Sequence, residues 1–500
     1  MRYYSALLTM LFVAVGMICS AAAKAEQAAS DAREVPPKPS DKQSSAGEWL
    51  RAGPIRVKLE DGQLRYLYVG DKEIVRRIYF GVRDGNWGTA LPTFTKMDVE
   101  KSEDHFTVSM AANCKMDAVD ISWTGVIIGS ADGKITFQAT GTPNADFQSN
   151  RIGLCVLFGV HSLAKQAFQT DGPIANTVFP VLVSPKLVGE QFHTLQYTTA
   201  NGLHVSCSLE GAIFDMEDQR NWGDSSWKAY APLAYAYKTV NKGEVKSETV
   251  TIAISGTTDA KPVAQEPVHV KIGKAVAEAR VPKLVPVPAG KVPEFTEISF
   301  NHDKYKDRKE IGWSYIPTTH LPDEDVIMEN LPTVTYQAKT VKTLSPDCEM
   351  KVGPIGLSNA GVKDSRANTQ MAAAWTMGMV KFLSMGGVNE AAFAVGDGAP
   401  GAVLDAVRPY VGASLLGVET EPAHSHHIIA FAAENERGTG VFLMNHNIRA
   451  SHVEIDGLSA KQVQVLRIAP GAADQAMDVT GGTLKFDLAP YEVVRVTVGK

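Results

Sequence analysis

The sequence predicts a multidomain, mainly β protein with an α/β part: an N-terminal β-sandwich, a partial (β/α)-barrel-like segment and a C-terminal antiparallel β-sandwich. Three observations predict it. Residues from Trp49 to about Asp259 form many short runs in which apolar and polar residues alternate, broken by turn-forming residues. From Pro293 to Gly412 strand-like and helix-like patterns take turns, and the remaining stretch returns to short alternating runs. Alternation with a period of two marks half-buried strands, and strands interleaved with helices mark βα units.

The chain of 500 residues is 44% hydrophobic and 21% charged, an ordinary globular composition. Its length accommodates roughly two to four domains with ample core. A net charge of -6 and a pI near 6.1 leave no footprint for nucleic acid or an anionic membrane. Residues 1–25 read as a signal peptide: Arg2, the apolar run ALLTMLFVAVGMI, and an Ala-x-Ala site at Ala23 and Ala25. That run is short of the about 20 residues a membrane span needs. A periplasmic or secreted location follows, with no membrane span once the signal is removed. Residues 26–48, rich in Pro, Ser and charge, read as a disordered tether.

Within residues 49–259, DISWTGVIIG and KITFQATG flank the turn-rich SADG and predict a hairpin; ETVTIAIS places Val250, Ile252 and Ile254 on one strand face. Residues 260–292, rich in Pro, Val and Lys, read as an extended linker along a surface. In residues 293–412, EIGWSYIPT and CEMKVGPIGLS predict strands and the segment from Thr333 a helix. SRANTQMAAAWTMGMVKFLSMGG is the strongest helix, with Asp364 or Ser365 to cap it and Gly386-Gly387 to stop it. NEAAFAVGDG follows as a strand and AVLDAVRPYVGASLL as a short helix, and residues 413–500 supply the C-terminal sandwich. Cys114, Cys155, Cys207 and Cys348 lie beyond the signal and none has zinc-ligand spacing; buried free thiols are favoured over a bridge.

Charge and aromatics concentrate in IFDMEDQRNWGDSSWKAY, Ile213 to Tyr230. As one strand it would put Glu217, Gln219 and Asn221 on one face and Asp218, Arg220 and Trp222 on the other. A carboxylate beside a guanidinium, with an indole nearby, suits a sugar-like ligand. The same composition also suits a buried ion-pair lattice between domains, since buried charges must be paired.

NRIGLCVLFGV (Asn150 to Val160), FDMEDQRNWGDSSWKAY, DSRANTQMAAAWTMGMVKFLSMGG and LAPYEVVRV together resemble the D-apionate lactonase family. The resemblance implies an N-terminal β domain, a TIM-barrel domain and a C-terminal β domain, and hydrolysis of a lactone of the branched sugar acid apionate; no cofactor or metal is expected from the residues. It implies a carbohydrate or sugar-acid lactone as partner. A full barrel takes about 250 residues, about twice the interval 293–412. The remaining βα units either pack as an open sheet against the β domain or rely on a second chain, so that an oligomer completes the site.

Lactone hydrolysis needs a base for water, a stabiliser for the developing oxyanion and contacts to hydroxyls. Glu217 or Asp218 is the candidate base, and Arg220 and Lys228 are candidate anion stabilisers. His320 and Glu329 in TTHLPDEDVIMEN and Asp397 in VGDGAPG follow strands, on the side where barrels place active sites. The P-x-x-H turn and following Glu resemble the family's. Asn221, Trp222, Asp224 and Lys228 are candidate substrate contacts, as are Asn86 and Trp87 of RDGNWGT, which resembles a tryptophan-bearing N-terminal region of the family. The group His424, His426 and His427 reads as a polar strand end rather than a metal site. Nucleophile-elbow, P-loop and zincin motifs are missing from the sequence. The alternative to an enzyme is a non-catalytic carbohydrate-binding or scaffold protein derived from one.

Overall fold

A computed structural model describes residues 33–35, 47–199, 202–231, 238–256, 267–287, 298, 301–315, 317, 323–358, 362–421, 428–436 and 438–499. The signal-peptide reading, most of the tether, His320 and the His424, His426 and His427 group therefore lie outside the described residues.

The predicted hairpin pairs Val119–Ser130 with Lys134–Pro143 and lies within a nine-stranded antiparallel sheet. Lys246–Ser255 joins the same sheet; Val250 and Ile252 are fully buried and Ile254 half-buried. An eight-stranded sheet faces it. Its order is Gly189–Phe192, Phe214–Asp218, Ser226–Tyr230, Arg151–Gly159, Lys72–Arg83, Gln63–Val69, Ile55–Glu60 and Glu48–Ala52. The alternate residues of both sheets, among them Ile78, Phe80, Val82, Ile152, Leu154, Phe137 and Trp227, interdigitate in one core. That is the expected sandwich.

Four strands form a separate parallel sheet in the order Lys283–Pro286, Glu390–Phe393, Glu349–Ile355 and Glu310–Tyr315. Helices Thr333–Leu344, Gln370–Met385 and Ala399–Val407 cover it. This is the partial barrel, and among the described residues it is an open sheet. The helix Gln370–Met385 is buried on most sides, as its Ala and Met content predicts. One face packs on the parallel strands and the other on Phe431, Phe442, Met444 and Val493 of the C-terminal domain. Gly378 makes that approach possible: a Cβ there would lie 2.5 Å from Leu331 Cδ1 and 3.0 Å from Met444 Cε. Its cap is Thr369, not Asp364 or Ser365; the Thr369 hydroxyl accepts from the Ala372 amide. Asp364 instead belongs to strand Val362–Asp364 and binds Arg366 through both carboxylate oxygens.

The segment 260–292 is not a surface linker over its described part. Val268–Arg280 is a strand that pairs with Ser414–Glu421 and, in parallel, with Ser451–Asp456. It buries Val268 and Val270 in the C-terminal core, and Lys283–Pro286 opens the parallel sheet. The C-terminal domain is therefore discontinuous, a nine-stranded sheet curved over its own core of aliphatic residues. Within the tether region Arg33–Val35 pairs in parallel with Val362–Asp364. Cys114, Cys155, Cys207 and Cys348 are buried free thiols. No helix among the described residues is long and apolar enough to cross a membrane.

Trp375 is 1% exposed at the centre of the helix between sheets. Trp375→Ala is expected to cost about 3–5 kcal/mol of stability, read from urea unfolding; a loss under about 1 kcal/mol would show that this junction is loosely packed.

Candidate active site

The run MEDQRNW is not one strand. Phe214–Asp218 ends in a 3-10 turn, Gln219–Trp222, closed by Gly223 at φ +94, a left-handed conformation that glycine adopts without strain. The chain then returns as Ser226–Tyr230, with Glu217 opposite Lys228 and Asp218 opposite Trp227. The stretch is thus a hairpin. It sorts its charges into two groups, one at the turn and one on the outer face of the eight-stranded sheet.

The turn group is a lattice. Asp218 and Arg220 have no side-chain exposure and pair through two hydrogen bonds, Nε to Oδ1 at 2.8 Å and Nη2 to Oδ2 at 2.7 Å. Arg220 also donates to the carbonyls of Pro180, Val181 and Leu182, while Asp218 accepts from the Ser184 amide. Its guanidinium lies between the Trp227 and Tyr336 rings. Gln337 donates to the Arg220 carbonyl, and Thr340 accepts from the Val183 amide, so helix Thr333–Leu344 is fastened to the sandwich here. Asn221 is spent in the same way, donating to the Ser184 and Asp218 carbonyls. Asp218 and Arg220 as catalytic groups, and Asn221 as a substrate contact, are corrected on this ground: the two charges and the Asn221 amide nitrogen are directed into the lattice, and all three side chains are buried away from solvent. Trp222 is half-buried beside them.

A second seam holds Glu329. Its carboxylate contacts Arg65 and the Tyr66 hydroxyl and lies 3.6 Å from Arg76. Asp323 caps helix Glu324–Glu329 by accepting from the Val326 amide and pairs with Arg65 at 3.0 Å. Burial opposes ionisation of Asp323, but Arg65 and Arg77 outweigh it and bring its carboxyl down to about 2. Asp224 accepts from the Asn330 side-chain amide, and the Ser225 amide donates to the Asn330 oxygen. Glu329 and Asp224 are domain-joining groups at the rim of a small hollow that Arg77, Tyr79, Leu157 and Ser226 also line.

The remaining group occupies the sheet's outer face. Strand register sets Glu217, Lys228, Leu157 and Arg77 in one row and Asp215, Tyr230, Cys155 and Tyr79 in the next. Gly153 and Gly81 follow without side chains, then Arg151 opposite Arg83. Glu217 is half-buried and takes hydrogen bonds from the Tyr230 hydroxyl and Gln219. Arg151 stacks on Tyr230, its Cζ 3.3 Å from the ring centroid, and lies 5.6 Å from the Trp87 ring. Trp87 is 56% exposed and Asn86 is exposed beside it, its amide held by Asp84. Lys228 is 2% exposed. Burial, joined by the repulsion of Arg151 and Arg83, outweighs Cys155 and Glu217, which favour the charge, and pushes its ammonium down to about 7. Arg151, Arg83 and Tyr79 were not singled out in the sequence. The available signal was an arginine at a strand end: Arg151 opens the otherwise apolar RIGLCVLFG, and Arg83 closes KEIVRRIYFGVR.

Asp397 is exposed in the turn after strand Glu390–Phe393, and no described contact joins it to the sheet face. On the C-terminal domain His269, Glu454 and Asp456 lie close enough to share a cation, but Lys485 pairs with Glu454 and Thr483 donates to Asp456.

Comparison with known proteins agrees with this architecture. The profile of the D-apionate lactonase N-terminal domain matches residues 37–257, and that of the D-apionate lactonase TIM barrel domain matches residues 225–423. The chain belongs to the D-apionate lactonase family. A D-apionate lactonase from Brucella anthropi is 31% identical over 233 residues, which are 45% of this chain and 38% of that protein, well under two thirds of its length. Among solved structures, a xyloglucanase of glycoside hydrolase family 44 from Paenibacillus polymyxa aligns at 10% identity over 40% of this chain and 51% of its own, with a TM-score of 0.32. A galactose mutarotase-like protein from Lactobacillus casei aligns at 8% identity over 42% of this chain and 100% of its own, with a TM-score of 0.30. Neither likeness bears on the site.

Two outcomes follow from this arrangement. Arg220→Met strands the buried Asp218 carboxylate and is expected to cost about 3–5 kcal/mol, with part regained in Asp218→Leu/Arg220→Met; full stability of the single variant would dissolve the lattice. A lysine whose folded value is lowered binds more protons when unfolded, so its contribution to stability rises with pH between about 7 and its ordinary 10.5. The stability of wild type relative to Lys228→Met should rise from pH 7 to 9, by at most about 1.4 kcal/mol per unit, so that any advantage of the variant at pH 7 shrinks. A flat difference would place the ammonium in water.

Proposed function

We propose that the chain is an exported, lactonase-like hydrolase of a sugar lactone, with its chemistry on the outer face of the eight-stranded sheet. The observation that carries this is the opposition of Glu217 and Lys228 across the hairpin, beside Arg151. Directly opposed residues of an antiparallel pair hold their Cβ atoms about 4.5–5.5 Å apart, a spacing that lets a base and a cation address one carbonyl. Family membership supports the lactone as substrate class, and the N-terminal apolar run supports export.

In this reading Glu217 takes a proton from water, and the oxygen attacks the lactone carbonyl. Lys228, opposite Glu217, stabilises the oxyanion in surroundings where charge interactions are strong. Collapse breaks the ring C–O bond, and the proton on Glu217 passes to the departing alkoxide, so the product is a hydroxy acid that ionises. Trp87 offers an exposed aromatic face for the sugar's C–H surface.

A second reading, a carbohydrate-binding protein without catalysis, is favoured by one observation: among the described residues the α/β part contributes four parallel strands where a complete barrel has eight. Purified protein incubated with aldonolactones, apionolactone included, separates the two. Proton release above the buffer rate is expected, and Glu217→Gln should lower kcat/KM by about 10²–10⁴-fold. No release from wild type leaves the binding reading, and an unchanged Glu217→Gln removes this carboxylate as the base.

A further inference from the structure

The sheet's outer face carries more buried positive charge than its neighbours pair. Arg151 is 4% exposed, Lys228 2% and Arg83 5%. None of the ion pairs among the described residues includes any of the three. Arg83 donates to the Trp87 carbonyl. Arg151 makes ring contacts with Tyr230 and Trp87, and its Nε is buried without a partner. Lys228 has only a distant approach to the Tyr230 ring, 5.9 Å. The carboxylates of the same face are turned to other uses: Asp215 accepts from the Gln191 amide, Glu217 from Tyr230 and Gln219, and Asp224 from Asn330. Arg77, the fourth cation of the face, is accounted for by Gln63 and lies 3.8 Å from Asp323.

Removing a cation from water without a counter-charge is costly, and such groups are found paired or at sites that bind ligands. We propose that Arg151, with Lys228 adding to the positive field beside it, binds the carboxylate of a sugar acid, so that the lactone handled here bears a carboxylate of its own, as an aldaric or uronic acid lactone does. This deepens the lactonase reading and rests on it. A neutral lactone would offer these cations negative charge only while the oxyanion exists; a carboxylate offers it in the resting complex too. The planar guanidinium of Arg151 matches a carboxylate through two parallel hydrogen bonds. A phosphate fits less well. Phosphate sites draw on free backbone amides at helix N-termini and nests, whereas Arg151 stands on a strand that pairs with Lys72–Arg83 over Arg151–Leu157 and with Ser226–Tyr230 over Cys155–Gly159.

The test is calorimetric titration of the full chain at pH 7 with D-glucarate, sorbitol and glucose 6-phosphate, alongside hydrolysis of D-glucaro-1,4-lactone and D-glucono-1,4-lactone. Binding of glucarate but not sorbitol is expected, weakened about tenfold or more in Arg151→Gln and in Lys228→Met. Hydrolysis should favour the glucarolactone. Lys228→Met should keep or raise the thermal midpoint of the free protein, because it removes a buried cation that no carboxylate pairs with, so lost affinity is distinguishable from misfolding. Hydrolysis of the gluconolactone with no affinity for glucarate would overturn the proposal while leaving the lactonase reading intact. Glucarate binding without hydrolysis would uphold the anion site and sink that reading. Tighter binding of glucose 6-phosphate than of glucarate, or unchanged affinity in both variants, would also overturn the proposal.

Discussion

The structure turns on the buried pair of Asp218 and Arg220. Neither side chain meets solvent, and the guanidinium holds a carboxylate, three carbonyls of the Pro180–Leu182 segment and two aromatic faces at once. An isolated buried charge would be far too costly to keep. Its partners come from the hairpin, the neighbouring loop and the helix Thr333–Leu344, so the pair fixes where the α/β part stands against the sandwich. The adjoining seam of Arg65, Arg76, Tyr66 and Glu329 sets the helix Glu324–Glu329 on the same sheet.

That constraint creates the site. Because the hairpin turns at Gln219–Trp222, its charges divide. Asp218 and Arg220 are committed to the join, whereas Glu217 and Lys228 are set opposite each other on the sheet's outer face. Gly81 and Gly153 leave a side-chain-free strip on that face, and Arg151 and Arg83 stand beyond it. A rigid sheet interior is a good platform for such a constellation, since each side chain is held by paired strands rather than by a loop. The dense mixture of charge and tryptophan thus serves two purposes from one short hairpin.

Much of the fold could be read from the sequence because alternation and helix punctuation are local signals. The hairpin of Val119–Ser130 with Lys134–Pro143, the helix Gln370–Met385 and the parallel strands around Glu349–Ile355 and Glu390–Phe393 all follow from them. The turn inside MEDQRNW was hidden because its polar residues alternate as a strand's would; Gly223 was the sign of reversal. Val268–Arg280 was hidden by its Pro-rich flanks, although Val268, Val270 and Ile272 alternate with His269 and Lys271. Arg151 and Arg83 depend on long-range register, since 67 positions of chain separate the neighbouring strands that hold them opposite each other, roughly. The partition of Asp218 from Glu217 rests on tertiary packing in the same way.

Hydrogen exchange on wild type and Arg220→Met tests the central claim most directly. If this pair is the join, amides of Val183 and Ser184, the Gln219–Trp222 turn and the first two turns of helix Thr333–Leu344 lose protection together, while Phe106–Met116 and Lys134–Pro143 stay protected. Loss confined to the hairpin, with the helix unaffected, would contradict the account.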